Sequence, residues 1–432
     1  MKMANMDDYF DVVIVGTGAA GLYCALNLPA RYRILLLTKQ KADESDSFLA
    51  QGGICMQHGE ADYRQFFDDT MRAGHYENNP ATVDLMIRSS NAIIRDLVRR
   101  GVRFARDDHG ALRFTREGAH SRPRILFHED ITGHEITQTL LNEVLRCENI
   151  ELREHTTLLD FFADASACGG VIAVGPDGEP RAIGAGAVVL ACGGIGGLYK
   201  NSTNFPHITG DAIAMALRHG VACEHLDYIQ IHPTTLYSHR KGRRFLISES
   251  VRGEGALLLD KNGNRFTNEL QPRDVVSAAI RAQMEKDGTD HVWEDMRPIG
   301  EAAIREHFPN ILERCEEEGY DPIHEPIPVV PAQHYFMGGI TAGLSSRTAL
   351  PRLYACGETC CNGVHGRNRL ASNSLLESLV FAQRAADDIL YGEPPVFTGD
   401  KPDLAPYREQ EPLFAAYRQE VLTAIERSKN HE

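Results

Sequence analysis

The sequence predicts an α/β protein in which a parallel-sheet domain opens the chain, is interrupted by a mixed α+β segment, and resumes near the C-terminus. Three observations predict this. Asp11-Val-Val-Ile-Val15 is a short apolar run of the kind buried in a parallel sheet, and a Gly-rich turn, a helical stretch through Leu28 and a second apolar run, Arg33-Ile-Leu-Leu-Leu-Thr38, follow it as a βαβ unit. Residues 224 to about 336 change character, becoming mixed and rich in His and Arg. Strand patterns return from Ile340 to Gly357, and a helix follows from near Asn368 to about Leu390.

The remaining elements fill in this order. Gly52-Gly53 marks a loop, and residues 61 to 101 alternate as amphipathic helices. From 151 to 193 the pattern is one of strands. Gly170-Val-Ile-Ala-Val174 and Ala185 to Cys192 flank Gly175-Pro-Asp-Gly178, where Pro and Gly dihedrals favour a turn. The second of these strands runs into Cys192-Gly193-Gly194, a place where backbone can approach a ligand. A chain of 432 residues exceeds what one core usually supports. We expect a discontinuous domain, 1–223 with 337–395, an inserted domain over 224–336, and a tail over 396–432. That tail is rich in Pro and charge and has one amphipathic stretch, Pro412 to Arg427.

Composition excludes several classes. A formal charge of −15 argues against nucleic acid or anionic lipid as partner, because phosphate binding needs a basic surface. An anionic small molecule would need a local cluster of Arg and His. Met1 to Phe10 has no apolar segment of a secretory signal, and no run approaches a membrane span. The 10 Cys read as reduced thiols, which places the expected location in the cytoplasm. Cys356, Cys360 and Cys361 lie close together but lack the second pair that a zinc site requires, so no metal is expected.

Gly16, Gly18 and Gly21 fit G-x-G-x-x-G after a strand and at the mouth of a helix. The first glycine permits the tight turn, the second lets backbone approach a pyrophosphate, and the third allows close helix–strand packing. The helix N-terminus favours the phosphate charge. A Rossmann-like, dinucleotide-binding domain is therefore expected. The end of the second strand reads Thr38-Lys39, without the acidic residue that a simple NAD site carries on the ribose. FAD stays open, with Lys39 and backbone around the adenosine.

Further motifs occur in one order: Ala50-Gln-Gly-Gly-Ile54, Thr209-Gly-Asp211, His232-Pro-Thr234, Arg252-Gly-Glu-Gly255, Pro272-Arg-Asp-Val275, His334-Tyr335 before Gly338-Gly339, and Asn368-Arg-Leu-Ala-Ser-Asn-Ser-Leu-Leu-Glu377. Together they resemble the flavoprotein family of succinate dehydrogenase, fumarate reductase and L-aspartate oxidase, over roughly residues 10 to 390. Thr115-Arg-Glu-Gly-Ala-His-Ser121 most resembles the L-aspartate oxidase members, whose Glu in this motif orients the substrate amino group. The matching residue is Glu117, although a surface Glu in a polar loop would read the same. Members that bind FAD covalently do so through a His shortly before Ala-Gln-Gly-Gly. Here that stretch is Glu44-Ser-Asp-Ser-Phe-Leu49, with Asp46 at the place of the His, so non-covalent FAD is implied.

The resemblance also implies the site. A C4 dicarboxylate needs paired donors of fixed geometry, and the planar fork of Arg suits a carboxylate. Arg369 and His334 fall on one carboxylate, and His232, Ser248 and Glu249 around the other. Arg273 matches the proton-shuttling Arg of the family, though its guanidinium stays protonated at accessible pH. It would also be explained by a structural ion pair with Asp274 or another acid. For FAD the resemblance selects Thr17, Ala19 and Ala20 among the loop glycines, Lys39, then Ser47, Phe48, Ala50, Gln51, Gly52 and Gly53. Asp211, Glu358, Asn373, Ser374 and Leu375 complete that set. Ser374 and Leu375 open a helix whose dipole can stabilise negative charge on a reduced flavin.

The implied reaction is oxidation of L-aspartate to iminoaspartate, with O2 or fumarate as acceptor and quinolinate synthase as consumer of the product on the way to NAD. A fumarate reductase using the same site explains everything except Glu117 and its motif. A flavin protein without turnover, acting in electron transfer, would not need Arg273, Arg369, His232 and His334 together. The family's C-terminal helical domain is expected to be largely absent.

Overall fold

The computed structural model describes residues 8–240, 242–392 and 395–429. The opening strand, Tyr9–Val15, runs parallel to Ile34–Leu37, with Val12 opposite Ile34. The glycine turn between them leads into the helix Ala19–Asn27. Ile34–Leu37 pairs parallel with Ile150–Arg153, and the other edge of Tyr9–Val15 pairs parallel with Pro180–Leu190. Val12 to Val15 and Ile34 to Leu37 are buried on both faces, as strands covered by helices on either side must be.

Pro180–Leu190 has two partners on its far edge. Its first residues pair antiparallel with Cys168–Val174, which is paired in turn with Thr157–Ala163. Its last three, Val188–Leu190, take Leu353–Ala355 in parallel. A strand from late in the sequence thus completes the first sheet. The fold class expected from the sequence, an interrupted parallel-sheet α/β protein, is the one observed. Helices Ala19–Asn27, Pro80–Arg100 and Asn373–Tyr391 bury one face of the sheet. Asp211–Arg218 and the last helix, Gln410–Lys429, pack on the other.

Cys223–Glu224 and Gly339–Thr341 pair antiparallel where the chain leaves this body and returns. Between them lies a four-stranded antiparallel sheet, in the order Ile229–Leu236, Ile327–Phe336, Val292–Asp295 and Leu257–Leu259. Helix Arg273–Asp287 packs on it, and Leu258, Val276, Ile280, Val292, Ile311 and Val329 form a core of its own. One buried carboxylate ties this part to the parallel sheet's side. Asp130 accepts the Asn310 side-chain amide at 2.6 Å and the Ile311 N–H at 2.8 Å, capping the helix Pro309–Glu317.

Two elements differ from the sequence expectation. The helix expected from near Asn368 begins at Asn373, because Ser372 ahead of it holds φ +61°, a left-handed conformation outside any helix. The tail is not merely Pro-rich and charged: its helix buries Tyr417, Val421 and Ile425 in the core, and the Tyr417 hydroxyl donates to Leu159 O at 2.7 Å. Among the described residues no helix is long and apolar enough to cross a membrane.

Candidate active site

One continuous cleft runs from the glycine turn to the antiparallel sheet. At its first end Gly16 sits at φ +115°, and a Cβ there would lie 2.0 Å from Ala191 O. Only glycine fits that position. A Cβ on Gly21 would lie 2.0 Å from Gly16 O, so the third glycine serves helix–turn packing and does not line the cleft. The helix Ala19–Asn27 has no side-chain cap, which leaves its first amides facing the cleft, apart from Ala19 N–H, which donates to Ser47 Oγ at 3.0 Å. Lys39 lines the cleft with its ammonium 2.6 Å from Asp211 Oδ2 and 3.1 Å from His207 O. Thr156, Thr157 and Leu158 line the same end.

Along the middle lie Ser45 to Gly53, Gly193, Glu358, Ser374 and Leu375. Three buried polar atoms there, Ser45 Oγ, Asp46 Oδ2 and Gln51 Oε1, have no hydrogen-bond partner among the described residues. Unpartnered buried polar atoms on one wall are what a wall built for a polar ligand leaves behind. Burial, offset in part by the Phe205 N–H and Arg243, pushes the Asp46 carboxyl up to about 7. Burial and the neighbouring Asp46 push Glu358 up to about 8, and its Oε1 accepts the Phe336 N–H at 2.8 Å.

The far end holds the charged cluster. Strand Ile229–Leu236 supplies His232, the helix beginning at Glu249 follows Ser248, helix Arg273–Asp287 supplies Arg273 at its first position, and strand Ile327–Phe336 supplies His334. Arg369 enters from the loop ahead of helix Asn373–Tyr391. Arg273 Nε donates to Glu249 Oε2 at 2.6 Å and its Nη1 to Gln230 Oε1 at 2.8 Å. Arg369 donates to the same Gln230 oxygen from Nε at 3.4 Å and Nη2 at 3.3 Å, and to Ser374 Oγ. It stacks 4.2 Å over the Tyr335 ring. Burial and the positive Arg273 lower Arg369 to about 10.

The two histidines meet edge to face, 5.1 Å between ring centres. His334 Nδ1 is 2.8 Å from Thr203 Oγ1. His232 Nδ1 is bracketed by Thr234 O at 2.9 Å and Thr234 N–H at 3.2 Å, while its Nε2 is buried without a partner. Burial and the nearby guanidinium of Arg273 hold both imidazoles well below their ordinary range, so they bind as neutral rings. Ser248 Oγ accepts the Ser250 N–H at 3.2 Å, capping its short helix.

Glu117 is not a surface residue of a polar loop. It is 3% exposed, and its two oxygens accept from Ser372 Oγ at 2.6 Å and Ser250 Oγ at 2.9 Å. A Cβ on Gly52 would sit 2.4 Å from its Oε1, so the glycine makes room for the carboxyl. Burial and the negative Glu249 push Glu117 upward, whereas in Glu249 the effect of burial is outweighed by Arg273 and Arg252, which pull it downward. Arg273 is not paired with Asp274, which meets His75 at 3.1 Å instead.

All the residues singled out for substrate line this cleft, and so do those singled out for the dinucleotide except Ala19, Gly21 and Asn373. Asn373 is buried, with its amide donating to Thr70 Oγ1 at 3.2 Å. The sequence reading missed Gln230, whose amide nitrogen donates to Asn368 Oδ1 and Arg369 O, both at 2.8 Å. The one available signal was spacing, since Gln230 stands two residues before His232 on a strand. Among the described residues no group of three or more His, Cys, Asp or Glu is placed to hold a metal.

Residues 11–375 match the family model described as an FAD binding domain. The chain is 48% identical to the L-aspartate oxidase of Clostridium perfringens over 380 residues, 88% of this chain and 86% of that protein. This chain belongs to the L-aspartate oxidase family. Another member of the L-aspartate oxidase family, from Nostoc, is 44% identical over 98% of this chain and 76% of its own length. Among solved structures, a quinol–fumarate reductase with menaquinol molecules superposes with a TM-score of 0.84 at 32% identity, covering 95% of this chain and 75% of that one. The protein is thus an FAD-dependent oxidoreductase of the L-aspartate oxidase family, within the wider succinate dehydrogenase and fumarate reductase group. The residues present fit that cofactor: a glycine turn no side chain could enter, a helix N-terminus capped only at its Ala19 amide, and the unpartnered polar atoms of Ser45, Asp46 and Gln51 along the wall.

Proposed function

We propose that the protein oxidises L-aspartate to iminoaspartate in the cytoplasm, holds FAD without a covalent bond, and passes electrons to O2 or fumarate. The reading rests on one observation above the others: a buried carboxyl, Glu117, opens into the same cleft as two arginines and two neutral histidines. A dicarboxylate explains the arginines and histidines. A cationic group on that dicarboxylate gives the added carboxyl, hydrogen-bonded within the protein only to two serine hydroxyls, a charged partner.

Bound FAD supplies the two-electron acceptor. The protein's own residues do the rest. Arg369 and His334 hold one carboxylate, and His232 with the Ser248 hydroxyl holds the other. Glu117 takes the ammonium and, with its affinity for protons raised by burial, accepts one at a carboxyl oxygen. Arg273, tied to Glu249 and Gln230, fixes the field around the carbon that loses hydrogen. Proximity and alignment of that kind are the main service such an anchor provides. No His lies between Glu44 and Leu49 to carry a covalent link, and Asp46 stands there instead. We assign 1–223 with 337–395 to the flavin-binding domain, 224–336 to a cap and 396–432 to a tail. Quinolinate synthase is the proposed consumer of the product, on the route to NAD.

The test is anaerobic. L-Aspartate should bleach the flavin band of the holoprotein, and Glu117→Ala should retain FAD yet lose bleaching by at least two orders of magnitude. Reoxidation by fumarate without any bleaching by aspartate would move the assignment to a fumarate reductase.

A further inference from the structure

The motif that carries Glu117 holds a second residue that the mechanism above does not use. His120 is buried and closes the same turn, its N–H donating to Glu117 O at 3.4 Å. Its Nδ1 lies 2.9 Å from Nη1 of Arg124, and its Nε2 lies 3.0 Å from Ala371 O. Arg124 is wholly buried between two carboxylates, with Nη2 2.9 Å from Asp62 and Nη1 2.7 Å from Asp69. A guanidinium has hydrogens to give and no lone pair to offer, so Nδ1 of His120 is the bare, accepting nitrogen. The one ring hydrogen then sits on Nε2 and is donated to Ala371 O. Burial and the charge of Arg124 bring the imidazole down to about 4, so no second proton competes for Nδ1.

The residue after Ala371 is Ser372, at φ +61°, a conformation that a residue other than glycine keeps only when its surroundings impose it. The contacts that impose it are His120 on Ala371 O, the Cys55 thiol on the same oxygen at 3.6 Å, and the Cys55 N–H on Ser372 O at 3.0 Å. In that conformation Ser372 Oγ donates to Glu117 Oε2 at 2.6 Å. The turn 117–120 and the stretch 369–372 are therefore clipped together twice, through Glu117 and through His120. One side of the clip carries the carboxyl assigned to the substrate ammonium, and the other carries Arg369, assigned to a substrate carboxylate.

We propose that His120 is a positioning residue for amine recognition: by donating to Ala371 O it holds Ser372 against Glu117, and so fixes the carboxyl that receives the ammonium at a set place beside Arg369. Without that bond, residues 371 and 372 relax to an ordinary backbone conformation, and Glu117 keeps only Ser250 as a donor. Arg369 is held independently by Gln230, Ser374 and the Tyr335 ring, so recognition of a carboxylate survives. The residue thus governs selectivity between a dicarboxylate that bears an ammonium and one that does not.

The inference rests on the reading of Glu117 as the partner of the ammonium, and two ligands separate the failures. At one pH, flavin reduction by L-aspartate is followed anaerobically, and fumarate binding to the oxidised holoprotein is followed by perturbation of the flavin absorbance. The variants are His120→Gln, whose amide nitrogen reaches as far as Nε2, and His120→Asn, whose shorter amide meets Arg124 but not Ala371. Ser372→Ala and its combination with His120→Asn complete the set. His120→Asn should lose roughly tenfold or more in the aspartate reaction, as a lost hydrogen bond to a charged group predicts, with fumarate affinity changed less than about threefold. His120→Gln should stay within about threefold of the wild type for both ligands. The double variant should be no worse than Ser372→Ala, because both changes remove one interaction. An unchanged aspartate reaction in His120→Asn, equal losses for aspartate and fumarate, additive losses in the double variant, or a His120→Gln no better than His120→Asn would each overturn the proposal. So would a His120→Asn protein that no longer holds FAD, since the residue would then serve the fold alone. If L-aspartate leaves the wild-type flavin oxidised, the reading of Glu117 itself falls, and this inference with it.

Discussion

Two carboxyls in one buried site need opposite environments if they are to do different work. Glu249 has Arg273 and Arg252 at its back, which outweigh its burial and pull it downward, whereas in Glu117 burial and the negative Glu249 outweigh two serine hydroxyls and the more weakly felt Arg273 and push it upward. Such divergence marks acid–base assignments in enzymes generally. The motif around Glu117 made that residue legible in the sequence, but Ser250, which helps orient it, lies in no motif, and Ser372, inside the motif from Asn368 to Glu377, was not singled out for that role. Gln230 was illegible for a related reason: a neutral amide has no chemistry of its own until two arginines converge on its oxygen. Glu294, on strand Val292–Asp295, was equally invisible: it is wholly buried, and neither of its carboxyl oxygens has a hydrogen-bond partner among the described residues. Its burial has a stability consequence of definite sign. A carboxyl raised in the folded state stabilises it at pH values below the ordinary carboxylate range, and that contribution is lost as pH rises toward about 8. Glu294→Gln should therefore gain on the wild type between pH 5 and 9, by up to roughly 4 kcal/mol in urea unfolding. A constant difference across that range would show that Glu294 keeps one charge state throughout.

At the scale of elements, the βαβ unit at the N-terminus was the most legible part, because apolar runs and a glycine turn determine it locally. Gly16→Ala would force a Cβ into Ala191 O at φ +115°. We expect loss of about 2 kcal/mol or more, with FAD affinity falling at least tenfold, as read from urea midpoints and flavin fluorescence. The start of the helix Asn373–Tyr391 was misplaced by five residues, because Asn368 to Ser372 carry helix-compatible side chains while tertiary contacts hold them otherwise. Arg369 and Ser372 are used by the active site in that unwound stretch. The last helix was underrated. Its amphipathic stretch gave a pattern but not a docking partner, which is the helix Asp211–Arg218 and the core beneath it. Val421→Asp, placing a charge where 0% of the side chain is exposed, should cost about 3 kcal/mol and lower the melting temperature, whereas Glu409→Asp on the surface should change neither.

For the whole molecule, the acidity seen in the sequence and the cationic pocket are compatible because Arg273 and Arg369 are buried, and a buried field is little screened by the net charge of −15. The active site draws on both sheets: Glu117, Glu358 and Arg369 come from the segments around the parallel one, and His232, Arg273 and His334 from the antiparallel sheet and its helix. It is complete only while the two sit together. Removal of FAD should loosen that arrangement, lowering the melting temperature in proportion to the cofactor affinity, and restoring FAD should reverse the loss. The contact of Asp130 with the helix Pro309–Glu317 then acquires a use beyond joining. The amides of Asn310 and Ile311 end on that one carboxylate, 3.4 and 2.8 Å away, across the junction of the two halves. Hydrogen–deuterium exchange at these two positions is accordingly a clock for separation of the halves, ticking each time they part and slowing whenever cofactor or substrate keeps them closed.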